Sequence, residues 1–363
     1  MDVSAILWAE YRRLLKEASV TPRDEAVARP APDLVAESRF SAIVEGFTEQ
    51  EADEIAGEVA ESGGATLSFT PMLQGFAEEI QANARCLGIR VDRPFLIAEY
   101  PTGEFNACIA PVRPGAALIL VNFGLLMMVF QVAKIQSLSL NFCRSDGEGN
   151  RIPGTDFGAA GFTIEQTTSA LANTIYAYLA HQDSTRAIRF PVLVGERLNL
   201  LDGLLHHCER FIVAHELAHL FCGHLEDSDY RNVAIPGGVV RAYEYLRDME
   251  FEADTLALRC CMHDVEWPSG QMASWIAAGA TFLFGLQRLV GKVLSLHRPP
   301  VPGTTLSDHP SADDRIAAIR SDVFAKYGGV KVWSRSENLL LWLDSYGDEV
   351  VRRTRDILRR SDQ

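Results

Sequence analysis

The sequence predicts an α+β fold: a small mixed sheet packed on one helix that carries H-E-x-x-H, with a mainly helical remainder. Three observations predict it. Short β-type runs cluster between positions 95 and 121. Segments of helical length fill most of the chain on either side. One apolar, helix-compatible segment carries His215-Glu216-Leu217-Ala218-His219. With 363 residues, 47% of them hydrophobic, the chain can bury a sizeable core without a metal to hold it together.

In chain order, residues 4–17 read as an amphipathic helix. Thr48-x-x-Glu51 has the form of a capping box at the start of a helix over 52–59. Thr70-Pro71 opens a third helix over 72–86. Residues 20–34, rich in proline, alanine and charge, read as a loop. The pattern changes near Pro94. Residues 95–100 and 105–109 are short apolar runs separated by Pro101-Thr102-Gly103, a turn signal. Residues 111–115 read as another turn, and 117–121 as a third strand. The apolar stretch 116–133 reads as a buried strand running into a buried helix. Residues 141–157 are rich in Ser, Asp, Gly and Asn and read as a long exposed loop that could cover a cleft. Helices are expected over 163–181, opened by Thr163-x-x-Gln166, and over 202–222, stopped by Gly223. Three more follow over 239–261, 271–296 and 311–326. The expected organisation is a mostly helical region over 1–92, a catalytic domain over 93–330 and a helical extension over 331–363.

Charge and cysteine usage narrow the function classes. A net charge of −14 disfavours a general surface for nucleic acid or anionic membrane. The basic tail (Arg352, Arg353, Arg355, Arg359, Arg360) is interrupted by Asp356 and reads as a solvated helix face. The seven cysteines are odd in number and lack C-x-x-C spacing, which points to reduced thiols and a cytoplasmic location. The first twenty residues mix charges and lack the form of a signal peptide. No glycine pattern suits a nucleotide, and no G-x-S-x-G elbow offers a serine nucleophile. Oligomeric state is not legible.

Chemistry concentrates at His215 and His219. Four residues apart on a helix, their imidazoles stand on one face, one turn from each other, and both nitrogens can reach one Zn²⁺ at about 2.0 Å. Glu216 between them can reach a metal-bound water as general base. A zinc site needs a third protein ligand, and Glu250 is the choice. Asp254, one turn beyond it on the same face, can hold the outward N–H of a zinc histidine. Glu252 turns to the other side and reads as a surface carboxylate.

H-E-x-x-H followed by E-x-x-A-D resembles the gluzincin metallopeptidases. That resemblance implies a zincin-like fold, bound zinc, His215, His219 and Glu250 as metal ligands, Glu216 as base and Asp254 as support. His309-Pro310 through Arg315-Ile316 resembles the C-terminal element of the HtpX/Ste24-like branch. The chain lacks the clear membrane spans of that branch, so the resemblance implies a soluble relative. His215 to His224, reading HELAHLFCGH, also resembles the soluble ImmA/IrrE-type peptidases. The implied activity is hydrolysis of a peptide bond in a protein or peptide substrate; the alternatives are a zinc-dependent amidase or hydrolase acting on a non-peptide bond, and a non-catalytic sensor or interaction protein in which the metal is structural. The donor for the developing oxyanion is open among His309, Tyr243, Tyr245, His224 and Arg315. His309 has the motif behind it, and Tyr243 stands two turns before Glu250 on the expected helix. The resemblance also implies a substrate paired with an exposed sheet edge; residues 117–121 are the candidate, with a central strand the alternative.

Overall fold

The computed structural model describes residues 3–17, 48–61, 69–112, 115–140, 143–145, 151–153, 162–187, 193, 195–227, 229–235, 238–263, 270–297 and 310–361. Helix α1 (Val3–Glu17) is followed by α2 (Glu49–Glu61) and α3 (Thr70–Cys86). The capping box of α2 forms: the Thr48 amide donates to Glu51 Oε2 at 2.8 Å, and the Glu51 amide donates back to the Thr48 hydroxyl.

Three strands follow, β1 (Phe95–Tyr100), β2 (Ala107–Val112) and β3 (Ala116–Asn122). They form a mixed sheet of order β1-β3-β2, with β1 and β3 parallel and β2 antiparallel to β3. The expected second strand therefore starts and ends later than its apolar run, and Pro111 lies within it. An edge strand tolerates this proline, since it has one side without a ladder partner. Strand β3 is central, not an edge: every one of its residues is buried. Its side chains alternate between two cores. Ala117, Ile119 and Val121 face the main core, while Leu118 and Leu120 join Leu7, Leu14 and Leu15 of α1 on the opposite face. Both faces being covered explains why β3 reads as a continuous apolar run instead of an alternating one.

Helix α4 (Phe123–Ser139) continues directly from β3, as the 116–133 stretch predicts. Within the expected 141–157 loop lies a short hairpin, β4 (Cys143–Ser145) paired with β5 (Arg151–Pro153). The rest of that loop, and the expected loop at 20–34, lie outside the described residues. Helix α5 (Ile164–His181) carries the expected capping box. Then come α6 (Gly195–Phe221), the short α7 (His224–Asp227), and a hairpin of β6 (Asp229–Ile235) and β7 (Gly238–Glu244). Helices α8 (Arg247–Cys261), α9 (Gln271–His297), α10 (Ala312–Lys326) and α11 (Val330–Ser361) complete the order.

The helix expected over 239–261 is thus a strand followed by a helix. Gly238 and the β-branched pair Val239-Val240 favour extended chain, and β6 supplies a pairing partner. Leu246, in extended conformation, begins α8.

Helix α6 is the axis of the main core. Helix α9 crosses it closely at Gly279, where an added Cβ would lie 2.5 Å from the His207 backbone. On another side Arg210 donates to Glu79 of α3 at 2.6 Å and to the Cys261 carbonyl of α8 at 2.8 Å. Arg288 of α9 ties Asp313 of α10 to Asp344 of α11. Gln271–Ser295 is long and apolar enough to cross a membrane, but 83% of its most apolar window is buried inside the protein. A core helix gives the same signature.

Candidate metal centre

Helix α6 presents His215 and His219 one turn apart, with their Nε2 atoms 3.2 Å from each other. Helix α8 brings Glu250 against them, its Oε2 lying 3.4 Å from His215 Nε2. One ligand atom from each of the three falls within 4.8 Å of the others. Two imidazoles and a carboxylate converging this tightly form a donor set that suits a divalent metal such as zinc.

Each histidine turns its other nitrogen away from this point and onto a support. His215 Nδ1 lies 2.9 Å from Asp254 Oδ1. Asp254 is almost fully buried and is gripped from α10 by Arg315, whose Nε and Nη2 donate to its two oxygens at 2.7 and 2.5 Å. The Arg315 guanidinium also stacks over Phe284 of α9 at 4.2 Å. His219 Nδ1 lies 3.0 Å from His224 Nδ1, and His224 Nε2 lies 3.2 Å from Glu252 Oε2. Tyr245 stacks flat on His219, with ring centroids 3.6 Å apart.

These surroundings set the affinity of the two rings for protons. Burial opposes a charge on His215, but the carboxylates of Asp254 and Glu250 outweigh it and push the pKa up to about 10. Burial, then the neighbouring charge of His215, drives His219 well below the ordinary range. A metal binding through His215 Nε2 therefore displaces a proton.

The cleft above the centre holds about 360 Å³. Glu216 lines it beside the three putting their ligand atoms together, and so do Tyr245 and Arg315. Asn106, Ala107 and Cys108, at the start of edge strand β2, form one wall. Leu283 and Gln287 of α9 form another. Strand β7 passes close to β2 without joining its sheet.

Of the residues expected from the sequence, the structure brings His215, Glu216, His219, Glu250 and Asp254 into one cluster. Tyr243 is not on the helix of Glu250. It stands on β7 opposite Tyr230, so the helical spacing that pointed it toward the metal does not apply. His309 lies outside the described residues, although its neighbour Pro310 borders the cleft. His224, one of the donor candidates, instead supports a metal histidine from behind. Gly223, at φ +78°, ends α6 and reverses the chain so that His224 folds back beneath His219. Glu252, a surface carboxylate by its spacing, is indeed largely exposed but reaches His224. The signal for this support was present in H219-x-x-x-G-H224, but reading it needs the left-handed glycine. Beside it, burial followed by the charge of Glu252 pushes the Cys222 thiol up to about 12.

Comparison of the chain with models of known protein families, with curated proteins and with solved structures gives no match in any of the three.

Proposed function

We propose that this chain is a zinc-dependent metallopeptidase that hydrolyses peptide bonds in a protein or peptide substrate. The observation that carries the reading is the meeting of His215 Nε2, His219 Nε2 and Glu250 with Glu216 in the wall of the same cleft. The donor set fits zinc: two neutral nitrogens and one carboxylate oxygen, each histidine held in orientation from behind. Among the described residues no fourth protein ligand joins these three, which leaves a coordination position for water or substrate. His224, the obvious fourth candidate, is engaged on the far side of the His219 ring.

Zinc, when bound, polarises a carbonyl and acidifies a water. The chain's own residues do the rest. Glu216 takes the proton from the attacking water and returns it to the leaving amine. Arg315, beside Glu250 at 3.5 Å and lining the cleft, supplies a positive charge near the centre that would favour a developing oxyanion. The start of edge strand β2, Ala107 and Cys108, lines the cleft, and an extended peptide adding to a strand edge is the substrate such a wall suits. This support for a peptide over a compact small molecule is what selects peptidase from the wider class of zinc hydrolases.

The test is Glu216→Gln. Zinc content, measured by elemental analysis, should stay at the wild-type level, while cleavage of a mixed peptide library, read by mass spectrometry, should fall at least about a hundredfold. A variant that retains cleavage would remove Glu216 as base.

A further inference from the structure

Next to the first centre, three more donor-bearing side chains converge. Cys222, His224 and Glu252 each offer one atom, a thiol sulfur, an imidazole nitrogen and a carboxylate oxygen, all within 4.8 Å of one another. They come from the end of α6, the start of α7 and the second turn of α8. The His224 Nε2 to Glu252 Oε2 separation of 3.2 Å is about that of two ligands on one tetrahedral zinc. His224 is buried and fixed by its contact with His219, whereas the Glu252 carboxylate is 65% exposed and can adjust. A borderline-soft cation suits this mixture of sulfur, nitrogen and oxygen better than magnesium or calcium do.

We propose that Cys222, His224 and Glu252 form a second zinc site, and that filling it weakens metal binding at the first. The coupling follows from the ring protons. A histidine bound to metal through Nε2 carries its proton on Nδ1. With the first centre filled, His219 Nδ1–H needs an acceptor, and His224 Nδ1 supplies one while His224 Nε2–H donates to Glu252. A metal on His224 Nε2 moves the remaining ring proton of His224 to Nδ1. Two N–H donors then face each other across 3.0 Å, and the hydrogen bond is lost. Whichever site fills first disfavours the other by the same factor, about tenfold. The second site thus acts as a sensor of excess zinc, set one imidazole away from the reaction centre. The site itself stands independently of the peptidase reading; only the coupling uses the metal capacity of the first centre.

The test is a cobalt(II) titration of the full, reduced chain followed by absorption. The first centre has no sulfur donor, so a near-ultraviolet thiolate-to-cobalt band reports the second site alone. Two equivalents should bind, and the band should belong to one of them. Cys222→Ser should lose the band and one equivalent, and its sulfur-free centre should bind cobalt about tenfold more tightly than the same centre does in wild type once the near-ultraviolet band is saturated. Glu252→Gln, altered at an exposed side chain, should shift the near-ultraviolet titration to higher cobalt and guards against a misfolded serine variant. Absence of the band at saturation, or its survival in Cys222→Ser, would overturn the site. Equal affinities would overturn the coupling. A near-ultraviolet band without cobalt at the first centre would leave the second site standing and remove the metallopeptidase reading.

Discussion

The two histidines of the metal centre are held in opposite ways. Behind His215 stands an ionic brace, Asp254 gripped at both oxygens by Arg315, buried and supplied by helices far along the chain. Behind His219 stands a hydrogen-bonded relay, His224 then Glu252, built by one turn at Gly223 and ending at the surface. The first brace costs desolvation and repays it with geometry, since the guanidinium fork and the carboxylate match atom for atom. The second costs little and can be altered from outside. One centre therefore has a rigid half and an adjustable half.

The sharpest way to break this contrast is to remove one partner of the rigid half. Arg315→Met strands the buried Asp254 carboxylate, and denaturant unfolding should show a loss of about 3–5 kcal/mol. The double variant Asp254→Leu/Arg315→Met should recover most of that stability and none of the lost zinc affinity. If both recover together, the brace serves stability alone.

Glu209 gives the control for a buried carboxyl on which burial acts without an arginine. It lies on α6, seven residues before Glu216, and burial pushes its pKa up to about 8. The folded chain therefore keeps it protonated to higher pH than the unfolded chain, whose glutamate ionises near the ordinary value of about 4.3. Stability falls as pH rises through that window and levels off above about pH 8. Glu209→Gln should remove this slope, with a gain of a few kcal/mol, in order of magnitude, above pH 8 and none below pH 4 (about one pKa unit or less from the unfolded value). An unchanged pH profile would show that Glu209 is ionised in the folded chain.

On the adjustable half the effects are smaller. His224→Leu leaves His219 Nδ1–H facing an apolar group, and zinc affinity measured by chelator competition should fall about tenfold. His224→Gln, which keeps an acceptor, should recover part of it. Glu252→Gln, at the exposed end of the relay, should change zinc affinity at the first centre by less than about threefold. Effects from His224 and Asp254 variants of equal size would erase the distinction between the halves.

Legibility in the sequence followed the same division. His215, Glu216 and His219 share one helix, and Glu250 and Asp254 share another. Helical periodicity alone fixes which side chains in each set point together, so these positions could be read without a structure. The order of the sheet could not. A central and an edge strand with the same apolar composition differ only in their neighbours, and β3 is central because it returns between β1 and β2, parallel to the one and antiparallel to the other. Residues 239–244 were misplaced because Val239-Val240-Arg241-Ala242-Tyr243-Glu244 suits a strand as well as a helix, and its β6 partner was not anticipated. That single ambiguity moved Tyr243 off the expected helix. The support from His224 is hidden in the sequence for a different reason: the reversal at Gly223 converts a sequence neighbour into a spatial one.

Arg315 stands 100 residues beyond His215 in the chain. During synthesis at about 5–20 residues per second, the two histidines leave the ribosome about 5 to 20 s before the side chain that completes their brace. The nascent chain thus carries its metal-binding nitrogens for that interval without the rigid half of the site. The centre cannot set in its final form until α10 has been made, and the order of translation serves as a delay.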